Sequence, residues 1–204
     1  SDESIALVEG ILKQAKENIA GWEADYGKEL MTQEKAWISL CWSGDAGWAM
    51  SEAEEVGVSL NYAVPKEGSN YWFDGWVIPK YAVNIKAANY FINYMCMPEN
   101  AIRNMEESGY VSVIASDEVL EVAQALAEEA GLENTVHATY FFGPQAESVV
   151  IDEVFYPDQS VIDRCTLMHD TGDDTAKLLN MWSRGKGDSL NNIVLYVLCG
   201  IAVG

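Results

Sequence analysis

Ala36-Trp37-Ile38-Ser39-Leu40-Cys41-Trp42 runs directly into Ser43-Gly44-Asp45, and this passage decides the reading of the fold. The first seven residues are dense in apolar and β-favouring types, which predicts a buried strand ending at Trp42. Ser43-Gly44-Asp45 then makes a turn, and a helix is expected through about Glu55, stopped by Gly57. A strand that turns straight into a helix is the repeating unit of α/β proteins.

The same alternation extends outward. Strands are predicted over residues 58–64, closed by Pro65, and over 71–78, closed by Pro79, with a Lys66-Glu67-Gly68-Ser69-Asn70 turn between them. Asn84 is placed to cap a helix through Met95. Pro98 breaks that helix, and a second runs from Glu99 to about Ser108, ended by Gly109. Ser116 is expected to cap a helix through Ala130, ended by Gly131. Two more strands fall near 136–142 and 149–155, and acidic helices near 159–167 and 173–184. Upstream, Ile5, Val8, Leu12, Ala15 and Ile19 recur at helical spacing, so residues 4–20 read as an amphipathic helix capped by Asp2 or Ser4.

A chain of 204 residues, 49% apolar, with 7 Trp and 10 Tyr, can bury a core. Its charge is lopsided: 32 acidic residues against 12 basic, a net charge of −20. That balance argues against nucleic-acid binding by a basic surface. From Asn104 to Asp163 there are 13 acidic residues and no Lys or Arg, which reads either as a solvated face or as a field that attracts a cation. Cys41, Cys96, Cys165 and Cys199 form no C-x-x-C pair, and His137 and His169 stand far apart. No metal site is therefore expected, and buried free thiols are the default. The uncharged stretch from Ser189 to Gly204 is shorter than the roughly 20 apolar residues of a membrane span. It reads as an anchor cut off mid-span or as a last element packed on the core. The start at Ser1, with no Met and no basic or apolar leader stretch, reads as a processed or truncated end.

Hydrolase elbows, phosphate loops and zinc-protease motifs are missing, so no enzyme is indicated and no cofactor is expected. What stands out is aromatic rings beside carboxylates where strands end: Trp42 and Asp45, then Tyr71-Trp72-Phe73-Asp74. Ends of strands in open α/β sheets are where such folds bind ligands. An aromatic face attracts an ammonium by roughly 0.5–2 kcal/mol, and a carboxylate adds a charge-assisted hydrogen bond. A diamine, charged at its ends and apolar between, suits that sequence of groups. The competing structural reading makes the rings core residues and Asp45 a helix cap.

Trp42-Ser43-Gly44-Asp45-Ala46, Tyr62-Ala63-Val64-Pro65-Lys66-Glu67-Gly68, Tyr71-Trp72-Phe73-Asp74 and Gly109-Tyr110 together resemble, in order and spacing, the spermidine/putrescine-binding proteins of ABC importers. The span from Lys35 to Tyr110 carries the match, and Tyr156-Pro157-Asp158 resembles a later landmark. Residues 113–150 match poorly, and 189–204 lie beyond the usual end. The resemblance implies a periplasmic-binding-protein fold of type II, with ligand clamped between two α/β lobes and only the C-terminal portion represented here. By that analogy residues 1–70 belong to the second lobe, 71–112 to the first lobe with its crossing strands, 113–188 return to the second, and 189–204 form a hydrophobic tail.

The resemblance also assigns ligand contacts. Trp42 and Trp72 correspond to aromatic walls, Asp74 to the carboxylate that pairs with an amine, and Asp45 to a position acidic in some members. Tyr110 corresponds to a tyrosine at the last lobe crossing, although Val111-Ser112-Val113 stands where the family has Pro-Thr-Pro. The implied role is an extracytoplasmic receptor that hands a polyamine to permease subunits at the periplasmic or extracellular face of the membrane. A receptor for another small solute and a truncated interaction domain are the alternatives. The family's first half has no counterpart here, which points to a fragment or to pairing with another polypeptide, including a homodimer or swapped pair. The tail would suit membrane attachment. An oxidising compartment would permit a disulfide, with the pairing left open.

Overall fold

In a computed structural model the described residues are 1–22 and 26–186. Their helices and strands, in chain order, are α1 (Asp2–Ala15), α2 (Gly27–Thr32), α3 (Ser43–Glu55), β1 (Asn70–Tyr71), α4 (Ile85–Met95), α5 (Pro98–Ser108), α6 (Asp117–Glu129), α7 (Thr139–Phe142), α8 (Gln159–Ile162), β2 (Thr166–Leu167) and α9 (Thr175–Lys186). The chain forms two compact units. Among the described residues, one comprises 1–22 and 169–186 and the other 26–168.

In the first unit α1 packs along α9. Ser1, not Asp2 or Ser4, caps α1, its hydroxyl accepting the Ser4 N–H at 3.3 Å. Ile5 and Leu12 are half-buried, whereas Val8, Leu7 and Ile11 are exposed, and α1 ends at Ala15 rather than near residue 20. Glu9 receives the Arg184 guanidinium through both carboxylate oxygens, the shortest contact being 2.6 Å, and Lys13 approaches it at 2.7 Å. The Arg184 hydrogen bond, then that of Lys13, pulls the Glu9 carboxyl down to about 2. Trp22 meets the edge of Trp182 at 4.9 Å.

The second unit is built on a core of Val119, Leu120 and Ala123 from α6 against Val136, Ala138, Phe142, Ala146, Val149, Ile151 and Tyr156. Its helices begin and end where sequence chemistry places them. Ser116 caps α6 by accepting the Val119 N–H at 3.4 Å. Pro98 opens α5 at the position where its missing N–H costs nothing. Gly109, at φ 71°, ends α5 with its N–H on the Met105 carbonyl. Asn84 precedes α4 without a side-chain cap bond.

The predicted strands fare differently. Residues 36–42 form no strand and belong to no described sheet, and Trp37, Ile38 and Leu40 are 91, 90 and 98% exposed. Segment 58–64 is likewise outside any strand, and 71–78 contributes only Tyr71. The sheet among the described residues is one parallel pair, Asn70↔Thr166 and Tyr71↔Leu167, so the predicted helix 159–167 divides into α8 and β2. The strands expected at 136–142 and 149–155 reduce to a single antiparallel bridge, Val136↔Val149. Local turn chemistry explains the loss. Thr139–Phe142 coils into α7, and the Asp152 carboxylate accepts the Val154 N–H at 2.8 Å, folding 152–156 into a turn. A strand also requires a neighbour, and apolar composition alone does not supply one.

Two polar clasps tie the long connections down. Asp158 accepts the His137 N–H at 2.8 Å and caps α8 through Ser160, which gives the Tyr156-Pro157-Asp158 stretch a structural task. Arg164 donates to the carbonyls of Pro65, Val64 and Ser160, fastening the 58–65 segment to α8. Cys41 and Cys165 are half-buried free thiols, but Cys96 is exposed, against the expectation of buried thiols. No helix among the described residues is long and apolar enough to cross a membrane. The 189–204 tail lies outside the described residues.

Burial pushes the phenols of Tyr140 and Tyr156 up to about 12, with the Asp158 charge adding to the first and Tyr140 to the second. An unfolded tyrosine ionises near pH 10. Above that pH the unfolded chain has lost protons the folded chain keeps, so stability is full below about pH 10 and falls as pH rises toward 12. Ultraviolet titration of the phenols is expected to show Tyr140 and Tyr156 among the last to ionise, with the urea midpoint dropping over the same interval.

Candidate functional site

The site begins at the N-terminus of α3. Trp42 stands at the N-cap in extended conformation, immediately before the first turn of the helix. The first turn and the inner face of α3 are made of small residues, Gly44, Ala46, Ala49 and Ala53, all buried. Small side chains let neighbouring backbone approach closely. Tyr110, delivered by the left-handed Gly109 that ends α5, uses this space. A Cβ added at Gly44 would lie 2.6 Å from the Tyr110 ring and 2.8 Å from the Gly109 carbonyl oxygen.

An aromatic chain results. Trp42 and Trp72 meet at 4.7 Å between ring centroids with planes at 64°, and Trp72 meets Tyr110 at 6.1 Å and 69°. These are edge-to-face contacts, the arrangement that ring quadrupoles favour. Three of the five residues singled out in the sequence are therefore brought together directly. Asp45 adjoins them. Burial first, and the Asp45 charge second, push the Tyr110 phenol up, while the Asp45 backbone N–H and the Lys28 ammonium oppose the shift. The Cys41 thiol is also pushed up, by burial and then by Asp45. Asp74 is two residues beyond Trp72, exposed, and no hydrogen bond or ion pair engages it among the described residues.

Asp45 is not a helix cap. Its Oδ1 accepts a hydrogen bond from Lys28 Nζ at 2.8 Å, and that ammonium lies 5.3 Å from the centroid of the Trp48 ring. The side chains of Lys28 and Asp45 are only 27 and 18% exposed, which separates this pair from an ordinary solvated surface contact. α2 carries Lys28 and packs across α3. Lys28 and Trp48 were not legible as site residues. Lys28 is 17 positions from Asp45, and Trp48 repeats no pattern beyond helical spacing from Asp45. Among the described residues no three His, Cys, Asp or Glu side chains gather closely enough to hold a metal ion.

Chemically the arrangement offers ring faces and edges, the Asp45 carboxylate and a phenol, with an ammonium already seated against acid and indole. The close seat of Tyr110 gives a direct test. Gly44→Ala is expected to destabilise the protein by about 1–3 kcal/mol through overpacking, with a changed near-ultraviolet circular dichroism spectrum as Tyr110 and Trp72 shift.

The bacterial extracellular solute-binding protein family matches residues 2–134 of this chain. Over 64 residues the chain is 41% identical to the putrescine-binding periplasmic protein SpuD of Pseudomonas aeruginosa (strain UCBPP-PA14), covering 30% of this chain and 17% of the relative. Over a stretch of the same length and coverage it is 34% identical to the putrescine-binding periplasmic protein PotF of Escherichia coli (strain K12). The aligned stretch is thus less than a fifth of either curated relative. With its family match spanning well over half the sequence, the chain belongs to the bacterial extracellular solute-binding proteins.

Proposed function

We propose that this chain is the C-terminal portion of a polyamine receptor for an ABC importer, working at the periplasmic or extracellular face of the membrane. The observation that carries the reading is the Trp42–Trp72–Tyr110 aromatic chain standing beside Asp45. The printed names of both relatives, putrescine-binding periplasmic proteins, support it. So does the Lys28 ammonium, which occupies the kind of acid-and-indole setting that a polyamine nitrogen seeks.

In this reading Trp42 and Trp72 cover the methylene chain, where each buried CH₂ contributes roughly 0.8 kcal/mol. Asp74 and Asp45 take the ammonium ends, and Tyr110 offers its hydroxyl to a ligand nitrogen. The fold is that of a type II periplasmic-binding protein, with residues 1–70 and 113–188 assigned to the second lobe and 71–112 to the first. Ligand binding favours the closed arrangement of the lobes, and the closed form docks on the permease. No bond is made or broken in the ligand, so the role is receptor rather than enzyme. The acidic surface raises the local concentration of polycations and speeds their arrival in a salt-dependent way.

Calorimetric titration of the full-length protein tests this. Putrescine is expected to bind saturably. Asp74→Asn removes a charge-assisted hydrogen bond worth about 1.5–3 kcal/mol, and should weaken binding roughly 10- to 100-fold. Saturable heat from neither putrescine nor spermidine, or an affinity that Asp74→Asn leaves untouched, would overturn the assignment.

A further inference from the structure

Lys28 sits oddly for a residue with only a structural task. It lies in the first turn of α2, where the helix dipole disfavours a cation. It is one of only 12 basic residues in a chain with 32 acidic ones, and its Nζ donates to Asp45. The ammonium is within 2.8 Å of the carboxylate and 5.3 Å of the Trp48 centroid, and its charge reaches the Tyr110 hydroxyl. Acid and indole around an ammonium is the environment that the proposed receptor would offer to one end of a diamine. Local rules broken in this way are expected where function requires them.

We propose that Lys28 is a tethered competitor for the Asp45 ammonium subsite, so that a diamine must displace it before both of its charged ends are held. The inference rests on the polyamine reading above and adds a specificity determinant to it. A tether of this kind presents its ammonium at an effective concentration in the millimolar range or above, with no second molecule required. A ligand with a single ammonium is held at Asp74 and along the rings and does not contest Asp45. A dication gains the second carboxylate only by expelling Lys28. The lysine therefore lowers the advantage of dications over monocations and sets a threshold of ligand concentration for occupancy. A residue that merely held Asp45 in place would act in the opposite direction, because its removal would weaken diamine binding.

The experiment compares putrescine with n-butylamine, which has the same carbon chain and one charge fewer. Each is titrated by calorimetry into the full-length protein, wild type and the variants Lys28→Met, Lys28→Gln and Lys28→Arg, with thermal melting to establish folding. The quantity read is the ratio of putrescine affinity to butylamine affinity. The two neutral variants are expected to raise that ratio by about 10-fold, the scale set by removing a millimolar-range tethered competitor. Lys28→Arg, which keeps the charge, should leave it within about 3-fold of wild type. If Lys28→Met does not fold, Lys28→Gln carries the test, since its amide can still donate to Asp45. A ratio that stays flat or falls in a folded neutral variant, while wild type binds putrescine, overturns the competitor role and leaves the receptor assignment standing. Absence of binding by any amine to wild type and to the neutral variants overturns both.

Discussion

Tyr110 lies on the backbone of Gly44, and the geometry of the site follows from that contact. Only a residue without Cβ permits it, because any side chain at position 44 would meet the ring at 2.6 Å. The contact joins the start of α3 to the end of α5. It also places a phenol where Trp72 can meet it edge-on, and Trp72 in turn holds Trp42. Three rings from three separate stretches of chain are thereby fixed by packing. In the proposed receptor, rings held this way would lose little further freedom when a ligand arrives, which lowers the entropic cost of binding. Asp45, one residue past Gly44, is carried into the same neighbourhood by the helix itself.

Charge works on two scales. The protein as a whole carries −20, a field that gathers cations without selecting among them. At Asp45 the balance is local, with Lys28 seated on the carboxylate and facing the Trp48 indole. Half-burial makes that pair matter more than a solvated one. Removing either partner alone leaves a charge partly withdrawn from water, and an incoming ammonium is the natural replacement for the one displaced. The exposed Asp74 has no such internal partner among the described residues.

Helices were more legible in the sequence than strands, and the reason is physical. Caps and stops act over three or four residues, so Ser116, Pro98 and Gly109 each did locally what their chemistry dictates. Strand pairing is decided by chain far away. Trp37, Ile38 and Leu40 carry the composition of a buried strand, yet the described residues provide no neighbour to pair with or cover them. Likewise Val136 and Val149 do pair, but Asp152 and the α7 turn end the ladder after one rung. At the site, Trp42 and Trp72 were readable as rings beside carboxylates at segment ends, whereas Tyr110 stood out only through the family resemblance. The Lys28–Asp45 pair was not, since two residues 17 apart on different helices leave no mark in either segment.

The central claim is that the Trp42–Trp72–Tyr110 chain is a surface for a polyamine. Indole fluorescence of the full-length protein during a putrescine titration tests it most directly. The account predicts a saturable change that weakens as salt is raised and loses most of its amplitude when Trp42→Phe and Trp72→Phe are combined, the remainder coming from Trp48 beside Lys28. A flat titration, or a saturable change whose amplitude the double substitution leaves intact, would contradict it.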